Sequence, residues 1–100
     1  MQAYEVDWTD EARADVWKFG DYVAQESSPQ EADSLMERIF AAGDALEWSP
    51  QRYSPAPEWG EGLRRVPVLG RRILFDVDEA AHVVHILAVV GGAENPREVR

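Results

Sequence analysis

A chain of 100 residues with 45% hydrophobic residues is long enough for one domain with its own core, and it contains no cysteine. Disulfides and thiolate metal sites are excluded, and no stretch approaches the roughly 18 to 20 apolar residues of a membrane helix. The first residues lack the basic and apolar regions of a secretion signal, so we expect a soluble cytoplasmic protein. A formal charge of −9 argues against direct binding of nucleic acid.

The basic residues are concentrated in one short segment of an acidic chain. Residues 63–72 contain four arginines and no acidic residue, whereas residues 1–62 contain 14 acidic and 4 basic residues. Arginine binds carboxylates and phosphates through a planar fork of N–H donors, so the segment predicts an anion-binding surface. Pairing with acidic residues of the same chain is the alternative. The candidates for contact with a target are Arg64, Arg65, Arg71 and Arg72.

The first half of the chain predicts a strand followed by two helices. Residues 4–8 alternate apolar and acidic side chains, as a half-buried strand does. Thr9 is a suitable N-cap for a helix that runs to about Gln25. Ser28, followed by a proline, begins a second helix whose apolar stripe ends at Leu46. Because the connection between them is short, the two helices should form an antiparallel hairpin.

The second half predicts a loop and then a small sheet. Proline and glycine interrupt residues 48–62, which therefore form a loop. Pro67 cannot donate a ladder hydrogen bond, so its strand should lie at the sheet edge or beside a bulge. The expected fold is α+β, with an N-terminal strand, an antiparallel helical hairpin and a three-stranded antiparallel meander in a single domain of residues 1–100. The three strands of the meander are residues 63–69, 71–78 and 82–90.

Alternation along the strands assigns side chains to the two faces of the sheet. Ile73, Phe75 and Val77 are expected beneath the helices, which places Arg65 and Arg72 together on the other face. The last strand has apolar residues at both of its alternating sets of positions, so both of its faces are apolar. A bound partner is a candidate cover for the second face. Within that strand, Val84, Ile86, Ala88 and Val90 are expected on one face, and Val83, Leu87 and Val89 on the other.

Neither a metal site nor a cofactor is expected. His82 and His85, the two histidines, are three residues apart on a strand and should point to opposite faces. A half-buried His85 with a hydrogen-bond partner is the simplest interpretation. Hydrolase motifs and phosphate loops are absent. The tryptophans favour packing over base stacking, and we expect Trp48 and Trp59 to fix the loop against the domain.

A series of short motifs follows along almost the whole chain. Together they resemble the RelE/ParE superfamily of type II toxin–antitoxin toxins, and they are closer to the ParE branch. The motifs are Tyr4-Glu5-Val6 before the first helix, a helical hairpin followed by Pro50, Gly62-Leu63-Arg64-Arg65-Val66-Pro67-Val68, Arg72-Ile73-Leu74-Phe75-Asp76-Val77-Asp78, and Val84-His85-Ile86-Leu87-Ala88-Val89-Val90 followed by Gly92-Ala93.

The resemblance implies a function as well as a fold. Free toxins of this superfamily arrest growth, and a cognate antitoxin neutralises them with an amphipathic tail. ParE-like toxins are associated with poisoning of DNA gyrase, and RelE-like toxins with mRNA cleavage at the ribosome. The family's basic residues on the open sheet face correspond to Arg65 and Arg72 here. The expected antitoxin contacts lie on the apolar outer face of the last strands: Leu74, Val83, Leu87 and Val89.

The chain departs from the family pattern near the end of its last strand. ParE-like toxins usually read Arg-Val-Leu-His-Gly-Ala-Arg-Asp there, whereas residues 88–95 read Ala-Val-Val-Gly-Gly-Ala-Glu-Asn. A C-terminal tyrosine, common in RelE-like nucleases, is missing, since the last tyrosine is Tyr53. These differences favour binding over catalysis. A gyrase-binding toxin is the leading interpretation; an mRNA endonuclease and a non-toxic binding module on the same scaffold are the alternatives.

Overall fold

The computed structural model describes residues 3–99 and confirms the α+β class and the order of the elements. Each helix and strand begins and ends within two residues of its predicted boundary. A single-turn 3-10 helix, Ala45–Glu47, follows the second helix, and the segment predicted as a loop contains two more, Pro50–Arg52 and Pro57–Trp59. The main elements are β1 (Glu5–Trp8), α1 (Asp10–Glu26), α2 (Pro29–Asp44), β2 (Arg64–Val68), β3 (Arg71–Asp78) and β4 (Val83–Gly91).

Both helices begin at the capping residues that the sequence indicated. The Thr9 hydroxyl accepts from the backbone N–H of Ala12, and the Ser28 hydroxyl accepts from that of Glu31, at 3.2 and 3.1 Å. Thr9 has a second function, because its hydroxyl and its backbone N–H both donate to the carbonyl of Ile86, at 2.8 and 3.1 Å. The start of α1 is therefore fixed directly to β4.

The four strands form one mixed sheet in the order β1-β4-β3-β2. The meander β2-β3-β4 is antiparallel as expected, but β1 runs parallel to β4, so the sheet is not antiparallel throughout. The predicted edge position of Pro67 is confirmed, since β2 is an outer strand. Arg65 donates its N–H away from the sheet to the carbonyl of Ser54 at 3.0 Å. Pro67 faces the same way, so its missing N–H costs no ladder bond.

A β-bulge in β4 changes which side chains face the helices. Leu74 pairs with Ala88 but Phe75 pairs with Ile86, so Leu87 is an extra residue opposite β3. Beyond the bulge, each side chain points to the face opposite to the one that simple alternation assigns. Val89 joins Val84 and Ile86 beneath the helices, whereas Ala88 and Val90 pack on the other side with Leu74. The expectation that Val84, Ile86, Ala88 and Val90 share one face was therefore wrong.

The chain itself covers the second face of β4. Ala56, Trp59 and Leu63 from the loop pack on Leu74 and its neighbours, and Val99 near the C-terminal end packs on the same cluster. Backbone hydrogen bonds fix this cover, from Ala56 N–H to Leu63 at 2.8 Å and from Val99 N–H to Trp59 at 3.0 Å. Trp59 is fully buried, as its predicted role in fixing the loop requires, but Trp48 is 45% exposed. A partner is not needed to cover this face.

Within residues 3–99, none of the helices combines the length and the apolar character needed to cross a bilayer.

Candidate functional site

The four arginines predicted as target contacts divide between the two faces of the sheet. Arg64 and Arg71 lie on the same face of the sheet as Val66, which packs beneath the helices. The Arg71 guanidinium lies 4.8 Å from the ring centre of Phe19 on α1, and Arg64 donates to the carbonyl of Tyr53 at 2.6 Å. Both side chains therefore pack against the chain's own helix or loop.

Arg65 and Arg72 emerge on the opposite side, here called the helix-free face and defined by Arg65, Arg72, Leu74, Asp76, His85, Ala88 and Val90. The pairing register places Arg65 opposite Leu74 and Arg72 opposite Pro67, so the two arginines are diagonal neighbours. Residues in such an arrangement are roughly 7–8 Å apart, and their Cβ atoms are slightly closer. The predicted placement of Arg65 and Arg72 on one face is confirmed.

Main-chain carbonyls hold both guanidinium groups. Arg72 donates through Nη2 to the carbonyl of Gly92 at 2.6 Å, and Arg65 donates through Nη1 to that of Pro55 at 3.0 Å. Arg65 also lies 3.9 Å from a carboxylate oxygen of Glu58, at the limit of an ion pair between half-exposed groups. A carbonyl is neutral, so these bonds orient the guanidinium groups without cancelling their charge.

Arg65 and Arg72 line one surface depression of about 360 Å³, here called the basic depression. Arg71, Pro67, Gly70 and Gly92 are among its other lining residues, so Arg71 reaches the depression although its guanidinium packs on Phe19. Planar guanidinium forks at the wall of such a depression suit a carboxylate or another planar anion. The depression lies beside the part of the helix-free face that Trp59 and its neighbours cover.

The two histidines lie in separate places. His85 is on the helix-free face, with Nδ1 3.0 Å from a carboxylate oxygen of Asp76, so the hydrogen-bonded histidine expected from the sequence is confirmed. His82 lies in the turn before β4 with a φ of 61°, and its ring stacks on Tyr4 with 3.7 Å between ring centres. No group of three or more acidic or histidine side chains within residues 3–99 is arranged to hold a metal ion.

Sequence comparison identifies the family. The profile described as "ParE toxin of type II toxin-antitoxin system, parDE" matches residues 6–96. The chain belongs to the ParE toxin family. No match was found among curated proteins.

Solved structures of toxin–antitoxin proteins share the fold of this ParE-family toxin. A chain of the chromosomal ParDE system from P. aeruginosa superposes with a TM-score of 0.77 at 19% identity, over 89% of this chain and 96% of that one. The RelBE2 complex from Mycobacterium tuberculosis gives 0.65 at 24%, over 94% and 97%. The archaeal RelE–RelB complex from Pyrococcus horikoshii gives 0.62 at 15%, over 92% and 98%.

The residues predicted to contact an antitoxin differ in accessibility. Leu74 is completely buried under the loop of this ParE-family toxin, and Val89 is 3% exposed beneath the helices. Val83 and Leu87 are half-buried and retain surface. Leu87, the bulged residue, lines a cleft of about 550 Å³ between the first turns of α1 and the C-terminal segment. Asp15, Lys18, Arg97 and Val99 are among the other residues that line this cleft.

Asp15 supplies a hydrogen-bond acceptor to β4 beyond the end of β1, where a neighbouring strand would otherwise supply one. Its carboxylate accepts from the backbone N–H of Val89 at 3.0 Å. Burial raises the pKa of this carboxyl above its ordinary value of 3.8, although the Val89 hydrogen bond and the charges of Lys18 and Arg97 oppose the rise. No pattern in the sequence predicts this contact, because Asp15 resembles the other acidic residues of a solvated helix.

We expect Asp15→Ala to lower the free energy of unfolding by about 1–3 kcal/mol, since the Val89 N–H loses its acceptor. Asp15→Asn is the matched control, because its side-chain oxygen still accepts while the charge is gone. Because the pKa of Asp15 is raised in the folded state, the protonated carboxyl stabilises the fold below pH 3.8. This stabilisation is lost as the pH rises through the raised pKa. In urea unfolding, Asp15→Asn should therefore gain stability relative to wild type between pH 3 and pH 7. A constant difference between the two proteins would contradict this assignment.

Proposed function

We propose that this ParE-family toxin arrests growth by binding a protein target, DNA gyrase, through Arg65 and Arg72, and that a cognate antitoxin neutralises it. The observation that supports this is that the two side chains lie on one face of the sheet and both line the basic depression. Two oriented guanidinium groups on a body of net charge −9 form a local positive surface suited to acidic side chains of a partner. Arg64 is assigned to packing on the other face, and Arg71, which also lines the depression, is assigned to packing because its guanidinium lies on Phe19.

The antitoxin contact is proposed at the surface that Val83 and Leu87 leave open. The P. horikoshii chain was solved as a RelE–RelB complex and the M. tuberculosis chain as a RelBE2 complex, and their shared fold supports a similar association here. An amphipathic segment could place an apolar side chain against Leu87 in the cleft beside α1. Leu74 and Val89 are buried on opposite sides of the sheet, under the loop and beneath the helices, so they are not proposed as contacts.

One observation favours a second candidate, a RelE-like mRNA endonuclease. The His85–Asp76 pair lies on the same face as Arg65 and Arg72 and supplies a group able to move protons. Distance weighs against it. Asp76 is four residues from Arg72 along β3, which separates their Cα atoms by about 13 Å at 3.3 Å per residue. The His85–Asp76 pair is also not among the residues that line the basic depression, so gyrase binding remains the leading proposal.

Induction in a bacterial host tests these alternatives. The chain alone should stop growth, and co-expression with the product of the adjacent reading frame should restore it and yield a complex. Purified toxin should inhibit supercoiling by gyrase, while primer extension on translated mRNA should show no new ends. Cleavage of mRNA that Arg72→Ala abolishes would instead establish the endonuclease. Normal growth during induction, with tight binding to the neighbour's product, would establish a non-toxic binding module.

A further inference from the structure

The chain leaves β4 in direct contact with the turn between β2 and β3. A Cβ atom added to Gly92 would lie 2.6 Å from the carbonyl oxygen of Gly70. Because that atom belongs to the backbone of a tight turn, in which Gly70 has a φ of 76°, it cannot move aside as a flexible side chain would. Gly91, one residue earlier, has no atom within 4 Å of the equivalent position. The need for glycine is therefore specific to position 92.

The same close approach determines where the Arg72 guanidinium stands. Arg72 pairs with Val90 in the sheet, and the carbonyl that accepts its Nη2 hydrogen bond at 2.6 Å belongs to Gly92, two residues beyond that pair. Gly70, Arg72 and Gly92 all line the basic depression. If the segment after β4 moved away from the turn, the acceptor carbonyl would move with it.

We propose that Gly92 is a positioning residue for Arg72. Its missing side chain lets the backbone pack on Gly70, and its carbonyl then holds the guanidinium in the basic depression. The hydrogen bond uses one of the five N–H donors, so the others remain available for a planar acceptor. The ligand class that fits is a carboxylate side chain of a protein partner. This inference rests on the proposed function, in which Arg72 contacts the target.

An arginine held in place before binding loses less conformational freedom when it binds, which strengthens the complex. Gly92→Ala should weaken the affinity of the toxin for purified gyrase by about 2- to 10-fold, the usual effect of ordering one long side chain. Gly91→Ala, the matched control, should have no effect. In an Arg72→Ala background, Gly92→Ala should cause no further loss, because both changes remove the same interaction. Additive losses would contradict a role through Arg72 and overturn the proposal.

A second measurement is independent of the target. In nitrogen-15 NMR spectra of the free toxin, the Arg72 guanidinium should show slow rotation and separate Nη–H signals. The separate signals should merge in Gly92→Ala and stay separate in Gly91→Ala. A freely rotating guanidinium in the wild-type chain would overturn the proposal, even if Gly92→Ala failed to fold. Restrained signals together with no gyrase binding would overturn the proposed function and leave the positioning role intact.

Discussion

Replacing Trp59 by alanine is expected to lower the free energy of unfolding by about 3–5 kcal/mol, the range for truncating a buried large aromatic side chain. Trp59 is completely buried against the helix-free face, in a cluster that contains Leu74, Ala88 and Val90. Its loss would leave a large cavity and detach the loop from the sheet. Urea unfolding followed by far-UV circular dichroism measures the effect, since removing a tryptophan also changes the fluorescence.

Two matched variants control for this result. Trp48→Ala removes a tryptophan that is 45% exposed from the same loop, and surface substitutions usually change stability by less than about 0.5 kcal/mol. Trp59→Phe keeps an aromatic ring and removes an N–H group for which residues 3–99 provide no acceptor, so its cost should be well below that of alanine. Equal effects of Trp59→Ala and Trp48→Ala would show that the loop does not cover the sheet.

Replacing Arg72 by alanine is expected to weaken binding to gyrase by about 2–4 kcal/mol, or roughly 30- to 1000-fold, as does truncation of a hydrogen-bonded charge at an interface. Arg65→Ala should have a smaller effect, because Glu58 already lies 3.9 Å from its guanidinium. Arg72→Lys should not restore binding, since an ammonium lacks the planar fork that grips a carboxylate. Calorimetry with purified gyrase at one fixed ionic strength measures these differences.

Arg64→Ala is the control for net charge, because it removes the same charge from the residue next to Arg65 but on the opposite face. Its affinity for gyrase should match that of the wild-type toxin. Equal losses from Arg64→Ala and Arg72→Ala would mean that overall charge, and not the basic depression, determines binding.

Local patterns in the sequence were sufficient to predict the elements and one face of the sheet. Capping residues at Thr9 and Ser28 fixed the helix starts, and alternation through two strands joined by a tight turn fixed the relative positions of Arg65 and Arg72. That prediction succeeded because the register is regular along the whole of β2, from Arg64 opposite Phe75 to Val68 opposite Arg71.

The remaining features depend on contacts between distant residues. The bulge at Leu87 has no glycine or proline to mark it, and the bonds around it come from Thr9 and Asp15 on α1. One inserted residue reverses the face of every later side chain, which is why the assignment of Ala88 and Val90 failed. The tryptophans predicted that the loop packs on the domain, but not which face of the sheet Trp59 covers, because 3-10 turns are too short to show a periodic pattern.

The proposed contact between the basic depression and DNA gyrase is tested most directly by hydrogen exchange of the toxin, free and mixed with gyrase. Protection on binding should concentrate in residues 65–72 and around Gly92, which together surround the basic depression. Protection confined to the α1–α2 hairpin, with residues 65–72 exchanging as in the free toxin, would contradict the account.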